Sequence, residues 1–348
     1  MKPTTAIANR MLFLSESNVG QCLSMKDCIE VNRQALISLT SNGGGIVPTR
    51  IGLPYQSHPP STTMTTATPP SQDWTFFKPA AYQQPDGSTS HMGMKLVSVR
   101  AENPSLFGLP MVPATIVVVD PPSGMVQAVV SATYLTAART AAGSALATQL
   151  CCHPNSKHIV VFGAGCQAAL HLEAIQCVVP TLERITIINR NRERADDLAA
   201  RQTLPTTVLA LKDTVTIQQT LQDADIVVTC TNTMTPLFDG TFLAKKCHVN
   251  GIGSYTPQMQ EIDDATVQRS IVLIDTPDAR SVGDLKSIGS GTAPLLLGDV
   301  LMNPNLLSSS RDCTFYKAVG TAIQDVMTAH LVVQRAKELG LGQYVDMS

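Results

Sequence analysis

The segment at residues 158–168 (HIVVFGAGCQA) constrains the fold of this chain more than any other feature. An apolar run with strand character leads directly into Gly163 and Gly165, and a helical pattern follows. Gly163 allows a tight turn, Gly165 lacks the Cβ that would keep a pyrophosphate from the backbone, and Ala168 permits close helix–strand packing. The N-terminus of the helix favours phosphate. The spacing therefore predicts a dinucleotide-binding turn, and the alternative is a glycine turn in another kind of α/β domain.

Alternating strand and helix patterns follow this turn. The β-branched run RITII at residues 184–188 is typical of a strand buried on both faces of a parallel sheet. After the strand at 159–162, the other candidate strands lie at residues 206–211, 225–230, 247–252 and 270–274. Six strands with intervening helices predict an α/β fold with a Rossmann doubly wound parallel sheet.

The end of the second strand bears on the choice of nucleotide. It reads Asn189, Arg190, Asn191, Arg192, with no acidic residue. An acid at this place would accept a hydrogen bond from the ribose 2′-hydroxyl of NAD, whereas a neutral or basic residue tolerates the 2′-phosphate of NADP. Arg190 can fork onto a phosphate and stack on the adenine. The sequence therefore predicts that NADPH binds more tightly than NADH. The alternative is that the arginines only form the solvated start of a helix.

A second α/β domain is predicted outside this block. Candidate strands at 114–119 and 126–130, joined by a DPPSG turn, indicate an antiparallel or mixed sheet. Residues 54–73 are rich in Pro, Ser and Thr and are expected to form a surface loop. The amphipathic patterns at 24–39 and 316–339 predict helices, of which the second is expected to return to the first domain.

Length and composition narrow the class of protein. A chain of 348 residues is long enough for two domains. A net charge of −2 offers no basic surface for nucleic acid, and no apolar run reaches the length of a membrane span. Nine cysteines without a CxxC spacing predict neither a disulfide framework nor a zinc site. The N-terminal residues lack a leader-like apolar run, so the cytoplasm is the expected location.

Three cations stand in otherwise apolar segments: Arg50 in VPTRIGLP, Lys95 in GMKLVSV and Arg139 in LTAARTAA. An isolated charge in such a setting is costly unless it meets a partner. A carboxylate substrate would be one such partner. The alternative for each of them is a local acid, or a side chain that reaches water.

The sequence around these three residues resembles that of the ornithine cyclodeaminase/mu-crystallin family. The likeness includes VPTRIGLP, GMKLVSV, LTAARTAA, GAGCQA, NGIGSYTPQMQEID, LLGDVL and FYKAVGTAIQDV, and it covers nearly the whole chain apart from residues 54–73. It implies a homodimer. Residues 1–134 and 317–348 would form the substrate-binding and dimerisation domain, and residues 135–316 the NAD(P)-binding Rossmann domain, with the nicotinamide in the cleft.

The resemblance also implies roles for individual residues. Arg50, Lys95 and Arg139 would surround the carboxylate and the amino or imino group of a small amino or imino acid, with Lys95 as the catalytic residue. Tyr255 and Asp325 are further substrate-binding candidates, and the alternative for Asp325 is an acid that holds Lys317 or a backbone group. The nucleotide would contact Gly163, Gly165, Cys166, Gln167, Ala168, Asn189, Arg190, Asn191, Thr229 and Thr231.

One departure from the family pattern bears on the reaction. Cyclodeaminases of this family carry an aspartate in the loop that here reads GSYTP at residues 253–257, and its place falls at Tyr255. The nearby Glu261 and Asp263 match a separate E-x-D motif and are expected to cap a helix. The resemblance therefore favours a ketimine reductase that uses NADPH. Ornithine cyclodeaminase, an alanine, arginine or opine dehydrogenase, and an NADPH-bound small-molecule binding protein remain the alternatives.

Overall fold

The computed structural model describes residues 10–55, 73–289, 293–307 and 312–347, so most of the surface loop expected at 54–73 lies outside the described residues. The chain separates into two compact units. The first contains the described residues up to Ser24, Ser41–Thr136 and the residues from Ala322 onward, and the second contains Met25–Thr40 and Ala137–Thr321.

The helices alternate with strands along both units. In the described residues the helices are α1 (Glu16–Cys22), α2 (Met25–Ile37), α3 (Asn103–Leu106), α4 (Thr133–Cys151), α5 (Cys166–Val178), α6 (Arg192–Ala199), α7 (Thr214–Leu221), α8 (Asp264–Arg269), α9 (Leu297–Met302) and α10 (Ala322–Leu339). None of these helices is both long and apolar enough to cross a membrane. The expected division placed the segment that forms α2 in the first domain, but α2 packs on α5 and α9 and belongs to the second unit.

The first unit is built on a mixed sheet. Its strands are β1 (Arg10–Leu14), β2 (Gly45–Ile46), β3 (Ile51–Tyr55), β4 (Asp73–Gln83), β5 (Thr89–Val99), β6 (Ala114–Val119), β7 (Val126–Ser131) and β16 (Gln343–Asp346). Their order is β16-β1-β7-β6-β5-β4-β2, with β3 also on β4, and only the β1–β7 pair is parallel among the described pairs. Helix α10 packs across β4, β5 and β6 and covers one face of this sheet.

The second unit is built on a parallel sheet. Its strands are β8 (His158–Phe162), β9 (Arg184–Asn189), β10 (Thr206–Ala210), β11 (Ile226–Thr229), β12 (His248–Gly251), β13 (Ser270–Ile274), β14 (Leu295–Leu296) and β15 (Cys313–Lys317). They lie in the order β10-β9-β8-β11-β12-β15-β13-β14, and every described pair is parallel. The strand order reverses between β8 and β11, and such sheets bind ligands outside the carboxyl ends of the strands at this point. The predicted α/β fold with a Rossmann sheet is confirmed.

The predicted helix at 316–339 is wrong at its start. The first two residues of this prediction, Tyr316 and Lys317, are the end of β15, which pairs with β12 on one side and β13 on the other. Strand pairing on both sides outweighs the helical period that the sequence suggests there. Gly320 then has φ of 74°, a left-handed conformation that favours glycine, and α10 begins at Ala322.

Candidate functional site

The glycine turn lies at the carboxyl end of β8, beside the point where the strand order reverses. Gly163 has φ of 114°, and a Cβ built on it would lie 2.7 Å from the carbonyl oxygen of Cys230. Its N–H donates to the carbonyl oxygen of Ile188 at 2.9 Å. Both the backbone conformation and the close approach to Cys230 therefore require glycine at this position.

The residues that follow suit a pyrophosphate at the N-terminus of α5. Gly165 is the N-cap of this helix, and a Cβ built on it would meet no described atom within 4 Å. Cys166 is exposed, whereas Ala168 is fully buried, as close helix–strand packing requires. The Gln167 Oε1 atom is buried and has no hydrogen-bond partner among the described residues. An open backbone, the N-terminus of a helix and an unsatisfied polar atom together fit a bound dinucleotide.

At the end of β9 and in the turn that follows, two asparagines make local hydrogen bonds. The Asn189 Nδ2 atom donates to the carbonyl oxygen of Asn191 at 2.8 Å. Asn191 is the N-cap of α6 and accepts from the N–H of Arg194 at 2.9 Å. The structure thus gives both asparagines a part in shaping the turn. Arg190 between them is exposed.

A buried carboxylate that sequence reasoning misassigned holds the ends of β11 and β12. Glu261 is fully buried, and its Oε2 accepts from Thr229 Oγ1 at 2.8 Å and from the N–H of Gly253 at 2.6 Å. Its Oε1 accepts from the N–H and the Oγ1 of Thr231 at 2.6 and 2.7 Å. The expectation that Glu261 caps a helix is therefore wrong, whereas Asp263 does cap α8 by accepting from Thr266.

Charged neighbours surround this carboxylate within the second unit. Burial raises the pKa of Glu261, whereas Lys317 and the hydrogen bonds from Thr231 lower it. Lys317 lies 2.9 Å from Asp284, and both side chains are fully buried. Asp284 in turn accepts from the N–H groups of Glu261 and Ile262 at 2.6 and 3.1 Å. The E-x-D motif was the only sequence signal for Glu261, and it does not show that the side chain turns toward the strand ends.

Arg139, the third predicted cation, lies in the second unit on α4 and is buried. Its guanidinium packs against Gly320, where any Cβ would collide with the Nη atoms. The Asp275 Oδ2 atom fixes this turn by accepting from the N–H groups of Val319 and Gly320 at 3.0 and 2.5 Å. Tyr255, also in the second unit, is 37% exposed.

The first unit contains a buried ion pair. The Lys95 Nζ atom on β5 lies 2.7 Å from Asp325 Oδ1 on α10, and the two side chains are 1% and 0% exposed. Asp325 thus faces Lys95, whereas Lys317, its suggested partner in the alternative reading, pairs with Asp284. Lys78 on β4, which sequence reasoning did not single out, is also buried and stands directly opposite Lys95 in the sheet.

The other predicted cation of the first unit lies on an aromatic ring. Arg50 is half-buried, and its guanidinium carbon lies 5.3 Å from the centre of the Phe76 ring. Phe76 in turn stacks on Trp74, with ring centres 5.8 Å apart. A cation over a ring face is stabilised by the ring quadrupole.

Comparisons with known proteins agree with this architecture. The profile of the ornithine cyclodeaminase/mu-crystallin family matches residues 71–340. An uncharacterized cyclodeaminase of Dictyostelium discoideum is 30% identical, over 97% of this chain and 100% of that protein. A Δ1-pyrroline-2-carboxylate reductase of Colwellia psychrerythraea is 30% identical, over 72% of this chain and 82% of its own. The solved structure of the Thermococcus litoralis Δ1-pyrroline-2-carboxylate reductase with NADH and L-proline has a TM-score of 0.82 at 26% identity, and covers 96% of this chain and 100% of that one.

Proposed function

This chain belongs to the ornithine cyclodeaminase/mu-crystallin family, and from that premise we propose that it is an NADPH-preferring reductase of cyclic ketimines such as pyrroline-2-carboxylate or piperideine-2-carboxylate. The observation that carries the proposal is the buried Lys95–Asp325 pair, with 2.7 Å between Nζ and Oδ1. A buried ammonium held by a carboxylate can donate a hydrogen bond, or a proton, to an imine nitrogen.

The residues receive the following parts in this reaction. The imine carbon of a protonated ketimine accepts a hydride, and the product is a secondary amine. The nicotinamide nucleotide supplies this hydride when it is bound. We assign Arg50 and Arg139 to the substrate carboxylate, because a guanidinium binds a carboxylate through two parallel hydrogen bonds. Lys95 holds the proton at the nitrogen, and Asp325 keeps Lys95 in place.

The nucleotide is assigned to the glycine turn of the second unit. Gly163, Gly165, Cys166, Gln167 and Ala168 would hold the pyrophosphate at the start of α5. Residues 189–191 would hold the adenosine side, and Thr231 the nicotinamide ribose. Thr229 acts only through Glu261 in this proposal, because its hydroxyl is buried and donates to that carboxylate.

The loop at residues 253–257 favours reduction over cyclodeamination. It contains no carboxylate, and Tyr255 offers a phenol where an ammonium side chain would need an anion.

None of the nine cysteines is in a disulfide, which suits the reducing cytoplasm that we propose as the location of the protein.

The direct test is a substrate screen on the purified protein with both nucleotides and in both directions. We expect NADPH oxidation that depends on a cyclic ketimine. Formation of proline and ammonia from L-ornithine would instead establish a cyclodeaminase, and oxidation of alanine, arginine or an opine an amino-acid dehydrogenase. Tight NADPH binding without turnover of any imine or amino acid would leave a binding protein.

The preference for NADPH is tested at Arg190. We expect the wild type to bind NADPH more tightly than NADH, and Arg190→Ala to weaken NADPH binding about tenfold, the effect of one charge-assisted hydrogen bond, while NADH binding stays unchanged. Fluorescence titration measures both affinities. Arg192→Ala is the matched control, because Arg192 is exposed and bonded to Asp196 at 2.9 Å. Tighter binding of NADH by the wild type would contradict the assignment.

The outer face of the first sheet supports a homodimer. In the middle of β5, Gly93, Lys95 and Val97 are buried, whereas Met94 and Leu96 between them are apolar and partly exposed, with Leu96 at 37%. Phe77 and Pro79 of β4 and Val117 of β6 continue this outer face. A contiguous apolar sheet face of this kind marks an interface. We therefore propose that a second copy of the chain covers it.

A charge on this face tests the proposed dimer. Leu96→Lys is expected to convert the protein from a dimer of 37.1 kDa chains to a monomer, because the introduced ammonium would be buried at the interface. Light scattering after gel filtration measures the mass. Val215→Lys on α7 of the second unit, where the valine is 64% exposed, is the control and should stay dimeric. A monomeric wild type would contradict the proposal.

A further inference from the structure

The guanidinium of Arg139 lies against a turn that a buried carboxylate fixes. Gly320, in the turn between β15 and α10, has φ of 74°. A Cβ built on Gly320 would collide with both Nη atoms of Arg139 and lie 2.8 Å from its Cζ. The Asp275 Oδ2 atom accepts from the N–H of Gly320 at 2.5 Å and from that of Val319 at 3.0 Å. Gly320 therefore touches the guanidinium and is also hydrogen-bonded to the carboxylate.

This turn lies at the edge of the parallel sheet where ligands are expected. Asp275 directly follows β13, and Val319 lies two residues after β15, its neighbour in the sheet. The glycine turn at Gly163 follows β8 of the same sheet. Ligands of such sheets bind outside the carboxyl ends of the strands. Arg139 and Gly320 thus meet at the edge of the sheet that also carries the glycine turn.

The buried charges of the second unit divide into two groups. Among the described residues of this unit, the buried Lys, Arg, Asp and Glu side chains are Arg139, Glu261, Asp275, Asp284 and Lys317. Lys317 lies 2.9 Å from Asp284, and its charge lowers the pKa of Glu261. Burial raises the pKa of the Tyr316 phenol, Asp275 raises it further and Arg139 lowers it, so both charges lie near this ring. Asp275 is therefore the buried carboxylate that accompanies Arg139.

We propose that Asp275 and Gly320 are positioning residues, which hold the Arg139 guanidinium in the orientation that receives the substrate carboxylate. The inference rests on the proposed function, in which Arg139 binds this carboxylate. Two parallel hydrogen bonds form only when the planar guanidinium faces the carboxylate, and a side chain that is oriented beforehand loses less entropy on binding. Asp275 fixes the turn and balances the charge, and the missing Cβ of Gly320 leaves room for the Nη atoms.

The room at Gly320 is tested by Gly320→Ala. The new methyl group should displace the guanidinium, because the end of a long side chain yields more readily than the backbone. We expect the KM for a cyclic ketimine to rise about 10- to 100-fold, the effect of losing one charge-assisted hydrogen bond. The kcat should change little, because a carboxylate contact is made in the ground state and in the transition state alike.

Gly124→Ala is the matched control for this variant. Gly124 has φ of 71°, so alanine is strained there in the same way, but a Cβ on it would meet no described atom within 4 Å. We expect the KM of Gly124→Ala to equal that of the wild type. An equal change of KM in Gly320→Ala and Gly124→Ala would show that backbone strain, and not the collision with Arg139, causes the effect, and would refute the part given to Gly320.

The charge of Asp275 is tested by Asp275→Asn. Asparagine keeps the size of the side chain and an oxygen that can accept from the two N–H groups of the turn, but it removes the charge beside Arg139. We expect the KM for the ketimine to rise about tenfold with little change in kcat. Asp225→Asn is the matched control, because the Asp225 Oδ2 atom also accepts from two consecutive N–H groups, those of Lys157 and His158, at 2.7 and 2.9 Å. Its KM should stay unchanged.

Double variants show whether both residues act through Arg139. In the Arg139→Met background, we expect Gly320→Ala and Asp275→Asn to cause no further loss of kcat/KM, because the guanidinium that they position is absent. A merely structural role would instead add its full loss to that of Arg139→Met. Additive losses, or an unchanged KM in both single variants, would overturn the inference while the reductase remains.

The wild type separates this inference from the proposed function. If it oxidises an amino acid and reduces no ketimine, the proposed function is wrong. The inference then stands if the KM for that amino acid, which also carries an α-carboxylate, rises in Gly320→Ala and Asp275→Asn, and it fails if this KM is unchanged. A wild type that turns over no amino or imino acid would refute both proposals.

Discussion

Lys95→Met is expected to lower kcat/KM for a cyclic ketimine by about 10²- to 10⁴-fold, the range that a positioned proton donor contributes. Methionine keeps the length of the side chain but removes the ammonium that lies 2.7 Å from Asp325. Steady-state oxidation of NADPH measures the loss. The affinity for NADPH should stay unchanged, because Lys95 belongs to the first unit and the glycine turn belongs to the second.

Stability must be separated from catalysis in this variant. Removing Lys95 leaves the buried Asp325 without that ammonium, and breaking a buried ion pair costs about 3–5 kcal/mol. The double variant Lys95→Met/Asp325→Leu replaces both charges with apolar groups and should recover most of this stability without recovering activity. Denaturant unfolding measures the free energies. Wild-type turnover in either the single or the double variant would refute the role of Lys95.

The sequence predicted those parts of the fold that local patterns determine. The turn at Gly163 and Gly165 and the six strands from β8 to β13 follow from glycine spacing and β-branched runs, which act over a few residues. β15 escaped prediction because its strand character comes from pairing with β12 and β13, which are distant in sequence. The helical pattern of the sequence begins within β15, so a helix was predicted where the strand ends.

The residues of the candidate site show the same limit. Arg50, Lys95 and Arg139 stood out because each is a lone charge in an apolar segment. Lys78, which is also buried, did not stand out, because its position opposite Lys95 depends on the register of the hairpin. Glu261 was misassigned for a related reason: its contacts reach back 30 and 32 residues to Thr231 and Thr229.

Glu261→Gln is expected to weaken both nucleotide binding and the second unit itself. The carboxylate accepts four hydrogen bonds, two of them from the N–H groups of Thr231 and Gly253 at 2.6 Å. Each carboxylate oxygen accepts from one of these backbone N–H groups. In either orientation of the glutamine side chain, its NH₂ group would therefore face a backbone N–H, and two donors cannot form a hydrogen bond. Donors left unsatisfied in this way cost about 3 kcal/mol in total, which corresponds to a fall in Tm of about 6–12 °C for a unit of this size.

The functional consequence follows from what Glu261 holds. Thr231, the proposed ribose contact, and Gly253, at the start of the loop with Tyr255, are both fixed by this carboxylate. We expect Glu261→Gln to raise the Kd for NADH about tenfold, the effect of losing one charge-assisted hydrogen bond at the ribose contact. Glu183→Gln removes an exposed carboxylate of the same unit, which lies 2.8 Å from Lys157, and should leave the Kd unchanged.

The pH dependence of NADH binding separates this role from a general loss of structure. Protonation of Glu261 removes a hydrogen-bond acceptor, as the substitution by glutamine does. Burial raises the pKa of Glu261; Lys317 lowers this pKa and Asp284 raises it. Because its pKa is raised, the wild type should lose NADH affinity as the pH falls through a range above that of an ordinary glutamate. NADH is the proper probe, since the 2′-phosphate of NADPH titrates near pH 6, as other phosphate monoesters do. Glu261→Gln should bind NADH weakly at every pH with this step abolished. A step of unchanged size in the variant would show that another group titrates and would refute the assignment.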